Sequence, residues 1–376
     1  MHTVTVAREA MATRFEVLLQ GEDTVRLRAA AEQALDEIER LEAQLSLFIP
    51  TSEISHVNRR AATEPVRVSP PVFRLLAQAQ RLSRETGGAF DPTVAPLVRC
   101  WGFMGGSGAL PEPPALAQAR AKVGMDKVEL DERDFTVRFA RTGMMLDLGA
   151  IGKGYAIERA AEVLTEAGVT SAFLHGGTSS SFAIGKPLDA AAWKASISLP
   201  ADLVPSVPLA SAAPNPNLNP GQTDLKFPNL RDNFTTFSMS DTNPNPTAPL
   251  RGDDISDAPP SAVARTRPDA PLAIVPLQNE SLSVSAAWGK SFAAAGRSWG
   301  HVLDPRSGEP VQRALLAALV LPSATEGDAL STALLTLGRE GLETIARLRP
   351  GARALLVVPG AQAGQCAVLA RGIAVN

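Results

Sequence analysis

Alternating and helical spacings of apolar residues predict a chain of mixed strands and helices. Residues 3–20 are typical of strands, because Phe15, Val17 and Leu19 alternate with polar neighbours. From Thr24 to Leu45 the apolar residues instead follow helical spacing, with Leu27, Ala31, Ala34, Leu35, Ile38, Leu41 and Leu45 on one face. The other face is rich in Glu and Arg, so this helix is predicted to lie on the surface of the fold.

Capping residues and glycines delimit the remaining predicted elements. Ser69-Pro70 is a favourable N-cap followed by proline at the first helical position, and Gly87-Gly88 ends that helix. The preceding segment, Phe48–Asn58, is dense in side-chain acceptors and predicts a loop. The pattern further predicts a helix from about Gly154 to Ala167, a buried strand at Ala172–Leu174, a last helix at about Asp328–Leu348 and a final strand near Ala354–Val358.

The composition of the chain changes between residues 201 and 271. Prolines alternate there with Asn, Asp, Ser and Thr, as in Pro214-Asn-Pro-Asn217 and Asn243-Pro-Asn-Pro246. Such a segment buries too little apolar surface to offset the loss of chain entropy. We therefore expect residues 1–200 and 272–376 to form one domain, with 201–271 as a mobile or irregular insertion in it.

Composition argues against several classes of function. A net charge of −3 over 376 residues, with no dense Lys/Arg run, argues against nucleic-acid binding and against a polybasic membrane patch. Cys100 and Cys366 are too few for a disulfide framework or a zinc cluster. No apolar stretch is long enough to span a bilayer. Residues Met1–Arg8 lack the apolar core of a signal peptide, so we expect a cytoplasmic protein, or a periplasmic one if a leader has been removed.

The most informative stretch of the sequence is Met145–Ala156. It predicts a short apolar strand that delivers Asp147 to a glycine-rich turn, which carries Lys153 and opens a helix. Backbone amides and the helix dipole at such a turn suit a phosphate group. Glycines before a helix also serve ordinary strand-to-helix turns, and the spacing is neither that of a Rossmann motif nor that of a P-loop.

Two further segments combine glycines with an acid or a histidine. In Thr86–Thr93, Asp91 precedes a proline that restricts its backbone, although a helix end followed by an Asp turn explains the same residues. In His301–Gly308, His301 lies near Asp304 and is a candidate general base, although a hydrogen-bonded turn is equally common.

A pair of hard oxygen donors follows near the end of the chain. On a helix, Asp328 and Thr332 are four residues apart and share one face, an arrangement that suits Mg²⁺. A helix-capping Asp and a helix-facing Thr would explain the same residues without a metal. The segment that begins at His175, His-Gly-Gly-Thr-Ser, is either an anion-binding nest or a tight turn.

Taken in order along the chain, these segments resemble the ApbE family of FAD:protein FMN transferases. The matching segments are Met11–Val17, Leu45–Asn58, Thr86–Thr93 with Trp101–Phe103, Leu146–Tyr155, His301–Gly308 and Asp328–Thr332. The resemblance covers most of the chain outside the insertion, so it is far more specific than a single glycine-rich loop.

The resemblance implies an α+β fold related to the T-fold, with mixed or antiparallel sheets, packed helices and an FAD site between two halves. The residues implied to bind FAD are Met11, Phe48, Ala89, Phe90, Asp91, Asp147, Lys153 and Val302. The carbonyl of Ala150, with Asp328 and Thr332, would hold Mg²⁺.

The implied reaction is attack of a Thr or Ser hydroxyl of an acceptor protein on the pyrophosphate of FAD. FMN becomes ester-linked to the acceptor and AMP leaves. Mg²⁺ and Lys153 would neutralise phosphate charge, and His301 would orient or deprotonate the hydroxyl. Two alternatives stay open: an FAD pyrophosphatase that uses water, and an FAD-binding or assembly protein without turnover.

Two short segments depart from the family pattern. Gly176-Gly177-Thr178 stands where the family usually has Gly-Gly-Asp, and Val284-Ser285-Ala286 stands where it usually has Thr-Ser-Gly. These changes would either retune the site or mark a degenerate enzyme.

Overall fold

A computed structural model describes residues 1–200, 271–360 and 365–376. The predicted insertion, 201–271, lies outside the described residues except for Pro271. The helices are α1 (Thr24–Leu45), α2 (Glu53–Arg60), α3 (Pro70–Glu85), α4 (Ala95–Cys100), α5 (Pro113–Arg120), α6 (Gly152–Glu166), α7 (Ala324–Leu337) and α8 (Arg339–Leu348).

The strands alternate with these helices along the chain. They are β1 (His2–Ala10), β2 (Thr13–Gly21), β3 (Val66–Arg67), β4 (Val128–Asp131), β5 (Thr136–Phe139), β6 (Ala172–Gly176), β7 (Ser180–Ile184), β8 (Trp193–Ile197), β9 (Ala273–Leu277), β10 (Glu280–Ala286), β11 (Ser291–Ala294), β12 (Arg297–Gly300), β13 (Leu316–Leu321), β14 (Arg353–Pro359) and β15 (Cys366–Arg371).

An eight-stranded antiparallel sheet organises the fold. Its strand order is β1-β2-β6-β7-β10-β13-β14-β15. Helices α1, α6 and α7 pack on one face of the sheet, and their apolar residues form the main core with it. On the other face, apolar residues of the β8–β9 ribbon pack in a second cluster with those of β10, β13 and β14. The part of the sheet around β10, β13 and β14 is therefore covered on both faces, and β13 is buried along its whole length.

Helix α1 has the bounds that the sequence predicts, Thr24–Leu45. The Asp23 side chain caps its start by accepting hydrogen bonds from the amides of Val25 and Arg26, at 3.1 and 3.0 Å. Its predicted apolar face is buried against the sheet. The bounds of this helix could be predicted from the sequence alone for two reasons. The Asp23 side chain satisfies two free amides at its start, and its apolar residues form a continuous stripe.

Three predicted elements are wrong in detail. Residues 53–58, expected to be part of a loop, lie in helix α2, because Ser52 accepts a hydrogen bond from the amide of Ser55 and caps the start of the helix. The last helix, predicted as a single one, is two helices in the structure. The chain turns at Gly338, whose φ of 69° ends α7 before α8 begins. The strand expected before Asp147 does not form.

The two ends of the insertion meet at neighbouring strands. Ile197 of β8 pairs with Ala273 of β9 in an antiparallel ribbon, so the chain leaves and re-enters the described fold at adjacent positions. An extension of this kind adds residues without altering the register of the main sheet, to which neither strand belongs.

Candidate active site

Side-chain hydrogen bonds, rather than a strand, hold the segment before Asp147. The Asn58 side chain accepts from the amide of Leu146 at 2.7 Å and donates to its carbonyl at 2.9 Å. The amide of Asp147 donates to the carbonyl of Pro92 at 2.7 Å. These bonds replace a strand partner, so a buried apolar run that predicted a strand is held extended by two distant parts of the chain.

Asp147 lies in the turn before α6, and Lys153 is the second residue of that helix. Asp147 Oδ1 accepts from the amide of Gly149 at 2.8 Å, and Lys153 Nζ donates to the carbonyl of Gly149 at 3.3 Å. Burial raises the pKa of Asp147, while the Gly149 hydrogen bond and the charge of Lys153 lower it. The turn thus brings an acid and a base together, as the sequence predicts.

Gly154 brings helices α6 and α7 into close contact. A Cβ atom at this position would lie 2.2 Å from the Ala324 carbonyl oxygen and 2.7 Å from Asp328 Cβ. Its amide donates to Asp328 Oδ2 at 2.9 Å. This glycine of the motif is therefore required for helix packing, a role beyond the phosphate-binding backbone or the ordinary strand-to-helix turn that the sequence predicts.

Asp328 is a buried carboxylate inside α7, with 4% of its surface exposed. It does not cap the helix, since Ser323 does so by accepting from the amide of Glu326. Burial raises the pKa of Asp328, against the lowering effects of the Lys153 charge and of hydrogen bonds from the amides of Gly154 and Lys153. A buried carboxylate held by two amides and faced by one lysine suits a site that binds a further cation.

Thr332 lies one turn after Asp328, as the sequence predicts, and Ala150 precedes the first residue of α6 by two positions. Thr332 Oγ1 is 3.3 Å from the Asp328 carbonyl oxygen and 3.1 Å from Ser285 Oγ of β10. Among the described residues, no group of three or more His, Cys, Asp or Glu side chains has metal-binding geometry. A cation here would draw on carbonyl and hydroxyl oxygens besides one carboxylate.

Glu158 of α6 fixes the start of α7, a role that sequence spacing did not reveal. Its Oε2 accepts from Ser323 Oγ at 2.7 Å and from the amide of Thr325 at 2.8 Å. An acidic side chain at the N-terminus of a helix is favoured by the helix dipole and by the free amides there. The two helices that carry Lys153 and Asp328 are thus joined at Glu158 as well as at Gly154.

His301 follows β12 directly and is partly buried. Its amide donates to the Lys290 carbonyl at 3.0 Å, and its Nδ1 lies 3.2 Å from the same oxygen. Burial lowers the pKa of His301; the Lys290 carbonyl raises it, and the charges of Lys290 and Lys153 lower it further. A neutral imidazole ring that donates a hydrogen bond from Nδ1 to this carbonyl has an unprotonated Nε2. An unprotonated Nε2 can accept a proton, as a general base must.

Lys153 lies within electrostatic range of three of the predicted site residues. Its charge lowers the pKa of Asp147, Asp328 and His301. These residues come from three separate motifs, and the charge of one ammonium group acts on all of them. We call Ala150, Asp147, Lys153, His301, Asp328 and Thr332 the Lys153 cluster.

Asp91 is built into the fold by four hydrogen bonds. Its oxygens accept from the amide and hydroxyl of Thr93 at 2.8 and 2.5 Å, from Ser83 Oγ at 3.1 Å and from the amide of Met125 at 2.9 Å. Ala89 and Phe90 are 1% exposed. Asp91 borders a cavity of about 710 Å³ with Gly87, Gly88 and Arg306, which contains no member of the Lys153 cluster. The assignment of these three residues to FAD stays a prediction.

The remaining predicted FAD residues lie on three different segments. Met11 occupies the two-residue turn between β1 and β2 with a φ of 50°, and packs partly against the main core. Phe48 is 70% exposed in the turn after α1. Val302 follows His301, and its carbonyl accepts from the amide of Val311 at 2.8 Å.

Packing accounts for Gly176 and Gly177. They lie where β6 turns into β7, in one of the two segments that depart from the family pattern. A Cβ at Gly176 would lie 2.6 Å from the Phe15 ring, and one at Gly177, whose φ is 59°, would lie 2.3 Å from Thr13 Oγ1. Packing against Phe15 therefore explains Gly176, and a tight turn explains Gly177.

Comparison with known proteins gives one consistent result. The model of the ApbE family matches residues 11–214 and 250–356 of the chain. Relatives named FAD:protein FMN transferase from Treponema pallidum and Haemophilus influenzae are each 26% identical to it. These alignments cover 89% and 90% of this chain and 78% and 81% of the relatives.

Solved structures share the architecture described above. The crystal structures of the ApbE protein of Thermotoga maritima and of the apo flavinyl transferase ApbE of Pseudomonas stutzeri match with TM-scores of 0.72 and 0.71. Identities are 20% and 22%, with 99% of this chain and 97% and 95% of those chains covered. These likenesses confirm the predicted α+β fold. Among the described helices, none is long and apolar enough to cross a membrane.

Proposed function

The chain belongs to the ApbE family, and we propose that it transfers FMN from FAD to a Thr or Ser hydroxyl of an acceptor protein, with release of AMP. The family places it among flavin-transferring enzymes. The Thr or Ser acceptor is what the family resemblance implies. The contacts within the Lys153 cluster support the Mg²⁺ dependence and the roles of individual residues.

The observation that carries the proposal is the hydrogen bond from the Gly154 amide to Asp328 Oδ2. It joins two motifs that lie 174 residues apart in the sequence and places the Lys153 charge beside the buried carboxylate. Transfer from a pyrophosphate needs positive charge near the transferring and leaving phosphates, and little covalent chemistry from the protein. Lys153 supplies one such charge.

The donors of the cluster also fit a divalent cation. Asp328 is buried and shares a helix face with the Thr332 hydroxyl; within the described residues, amide donors and Lys153 balance its charge. A carboxylate, a hydroxyl and the Ala150 carbonyl are hard oxygen donors, and Mg²⁺ binds through one or two carboxylates while keeping several waters. When bound, Mg²⁺ would stabilise the negative charge that develops on the phosphate oxygens.

His301 is the candidate base for the attacking hydroxyl. Its lowered pKa keeps the ring neutral near pH 7, and the Lys290 carbonyl fixes the ring through Nδ1. In the proposed step, Nε2 takes the hydroxyl proton, the hydroxyl oxygen bonds to the FMN phosphorus, and the bond from that phosphorus to the AMP oxygen breaks. AMP leaves with the electron pair of that bond.

The proposal is tested by incubating the purified full chain with FAD, Mg²⁺ and an acceptor domain that carries a target Thr. Covalent flavin fluorescence on the acceptor after denaturing electrophoresis, with AMP in solution, is the expected result. An acceptor whose Thr is replaced by Val is the matched control and stays unlabelled. Release of free FMN and AMP would instead identify a pyrophosphatase that uses water, and unchanged bound FAD would identify a binding protein.

A further inference from the structure

Strand β10 presents a row of serines to helix α7. Ser281, Ser283 and Ser285 alternate along the strand with Leu282 and Val284, which pack in the second apolar cluster on the other face of the sheet. Alternate residues of a strand point to opposite faces, so the serines share the face that α7 covers. An apolar strand face is the usual partner of a buried helix, and hydroxyls there need an explanation.

Small size explains two of these serines. A Cβ on Gly327 of α7 would lie 2.7 Å from Ser283 Oγ, so the helix and strand approach too closely for larger side chains. Ser283 is buried and its hydroxyl finds no hydrogen-bond partner among the described residues. Ser281 Oγ donates to the backbone carbonyl of Leu321 at 2.8 Å. Within the described part of the chain, neither hydroxyl is hydrogen-bonded to the Lys153 cluster, so both serve packing.

Ser285 differs from them because its hydroxyl meets two hydroxyls of the helix. Ser285 Oγ lies 2.8 Å from Ser331 Oγ and 3.1 Å from Thr332 Oγ1. Alanine would satisfy the packing at this position equally well, but it would remove both hydrogen bonds. At this position serine therefore differs from alanine only in the oxygen that makes these two hydrogen bonds.

The protons of these three hydroxyls can be assigned to one chain of hydrogen bonds. Ser331 Oγ donates to the Asp328 carbonyl at 3.0 Å, which leaves its oxygen to accept from Ser285. Ser285 has then used its only proton, so its oxygen accepts from Thr332. The Thr332 hydroxyl then donates its hydrogen bond to Ser285, and its lone pairs are free to bind a cation.

Without Ser285, Thr332 would compete with Ser331 for one acceptor. Both hydroxyls lie within reach of the Asp328 carbonyl, and the Thr332 contact is the longer at 3.3 Å. A hydroxyl that rotates between partners presents its lone pairs to a metal less consistently than one held by a good acceptor. Partners that orient a metal ligand in this way commonly change affinity by about 10- to 100-fold when they are removed.

We propose that Ser285 is a positioning residue, which accepts a hydrogen bond from the Thr332 hydroxyl and so holds the Thr332 oxygen ready for the divalent cation. This inference rests on the proposed function, because it takes Thr332 as a ligand of that cation. It concerns cation affinity directly, so it is measured without FAD, without an acceptor and without turnover.

The experiment measures Mn²⁺ binding to the full chain from the electron paramagnetic resonance signal of free Mn²⁺. Ser285→Ala is expected to weaken binding by about 10- to 100-fold. Ser281→Ala is the matched control, since it removes a buried hydroxyl from the same strand face, and it should bind Mn²⁺ as the wild type does. Ser285→Thr retains the hydroxyl and should bind Mn²⁺ within a few-fold of the wild type.

A double-mutant cycle with Thr332→Val separates positioning from general damage. If Ser285 acts through Thr332, Ser285→Ala adds no further loss of affinity once the Thr332 hydroxyl is gone. Wild-type affinity in Ser285→Ala, or an equal loss in both backgrounds, would overturn the inference. Neither result would affect the proposed function, which fails only if the wild-type chain labels no acceptor with FMN.

Discussion

The amide of Gly154 donates a hydrogen bond of 2.9 Å to Asp328 Oδ2. Through this bond the first turn of α6 holds the carboxylate of α7, and the absence of a side chain at Gly154 lets the two helices approach. Lys153 is its neighbour in sequence, so the same turn that orients the carboxylate also supplies the charge that faces it. The chemistry of the cluster thus depends on helix packing.

Replacing Gly154 by Ala should damage both stability and transfer. The new Cβ would lie 2.2 Å from the Ala324 carbonyl oxygen, a contact that forces α7 away from α6. Overpacking of this kind typically costs about 1–3 kcal/mol in the free energy of unfolding. Urea unfolding measures the loss, and flavin labelling of the acceptor should fall more steeply than stability alone explains.

Gly152→Ala is the matched control for that substitution. Gly152 lies in the same helical turn, but a Cβ atom there would have Leu148 Cβ as its nearest neighbour, at 3.9 Å, which is an ordinary contact. Alanine is a better helix former than glycine, so stability should be equal or higher. Equal damage from both substitutions would show that close packing at Gly154 is not what matters.

Asp328→Asn should abolish metal-dependent transfer while leaving the fold intact. The amide oxygen of Asn can still accept from the Gly154 amide, but the charge that attracts a divalent cation is gone. Mn²⁺ affinity and flavin labelling should both fall to background. In the wild-type chain, EDTA should abolish labelling and added Mg²⁺ should restore it; full labelling in EDTA would rule out the metal.

His301→Ala should lower the rate of transfer by about 10² to 10⁴ and leave FAD affinity unchanged, since a general base contributes about that much. The base acts in its neutral form, and burial lowers its pKa below the ordinary histidine value of 6.5. The wild-type rate should therefore be level near pH 7 and fall as pH drops below 6.5.

Single-turnover rates across pH test this assignment. The acidic fall in rate should be absent from the residual activity of His301→Ala. His56→Ala, in α2 outside the Lys153 cluster, should keep the wild-type profile. If His301→Ala shows the same fall in rate at acidic pH, the group that titrates is not His301.

Glu326 should stabilise the junction of α3, α7 and α8. It pairs with Arg81 at 2.7 Å and Arg349 at 2.6 Å, and Glu85 pairs with the same two arginines at 3.0 Å. Glu326→Gln should lower the free energy of unfolding by about 1–2 kcal/mol at pH 7, more than an isolated surface pair contributes. Urea unfolding provides the measurement.

The pH dependence of that loss follows from the pKa of Glu326. Burial raises this pKa, but hydrogen bonds and charges from Arg349 and Arg81 lower it below the ordinary value of 4.5. A lowered pKa contributes stability above 4.5, which is lost as pH falls through the value in the folded protein. The difference between wild type and Glu326→Gln should therefore shrink below pH 4.5. Glu64→Gln, which breaks an exposed pair with Arg60, should cost little at any pH.

Local signals in the sequence predicted the elements that local interactions build. Helix α1 was predicted to the residue because its cap and its apolar face lie within Asp23–Leu45. The strand expected before Asp147 failed because its partners, Asn58 and Pro92, are far away in sequence. An apolar run alone does not say whether a strand or a side chain will satisfy its backbone.

The same distinction applies to the site. Family motifs named Lys153, Asp328 and His301, and in the structure the charge of Lys153 lowers the pKa of both Asp328 and His301. Glu158 and Ser285 were missed, because each acts on α7 from another element, at separations of 165 and 47 residues. The contacts of Glu158 and Ser285 with α7 form only when the sheet and the helices are assembled.

The most direct test of the account is the intact mass of the acceptor domain after incubation with the chain, FAD and Mg²⁺. We expect the mass of one FMN, less one water, on the target Thr, with one AMP released for each FMN attached. The Thr→Val acceptor, or His301→Ala enzyme in the same time, should show no such adduct. AMP and free FMN in equal amounts, with an acceptor of unchanged mass, would contradict protein flavinylation.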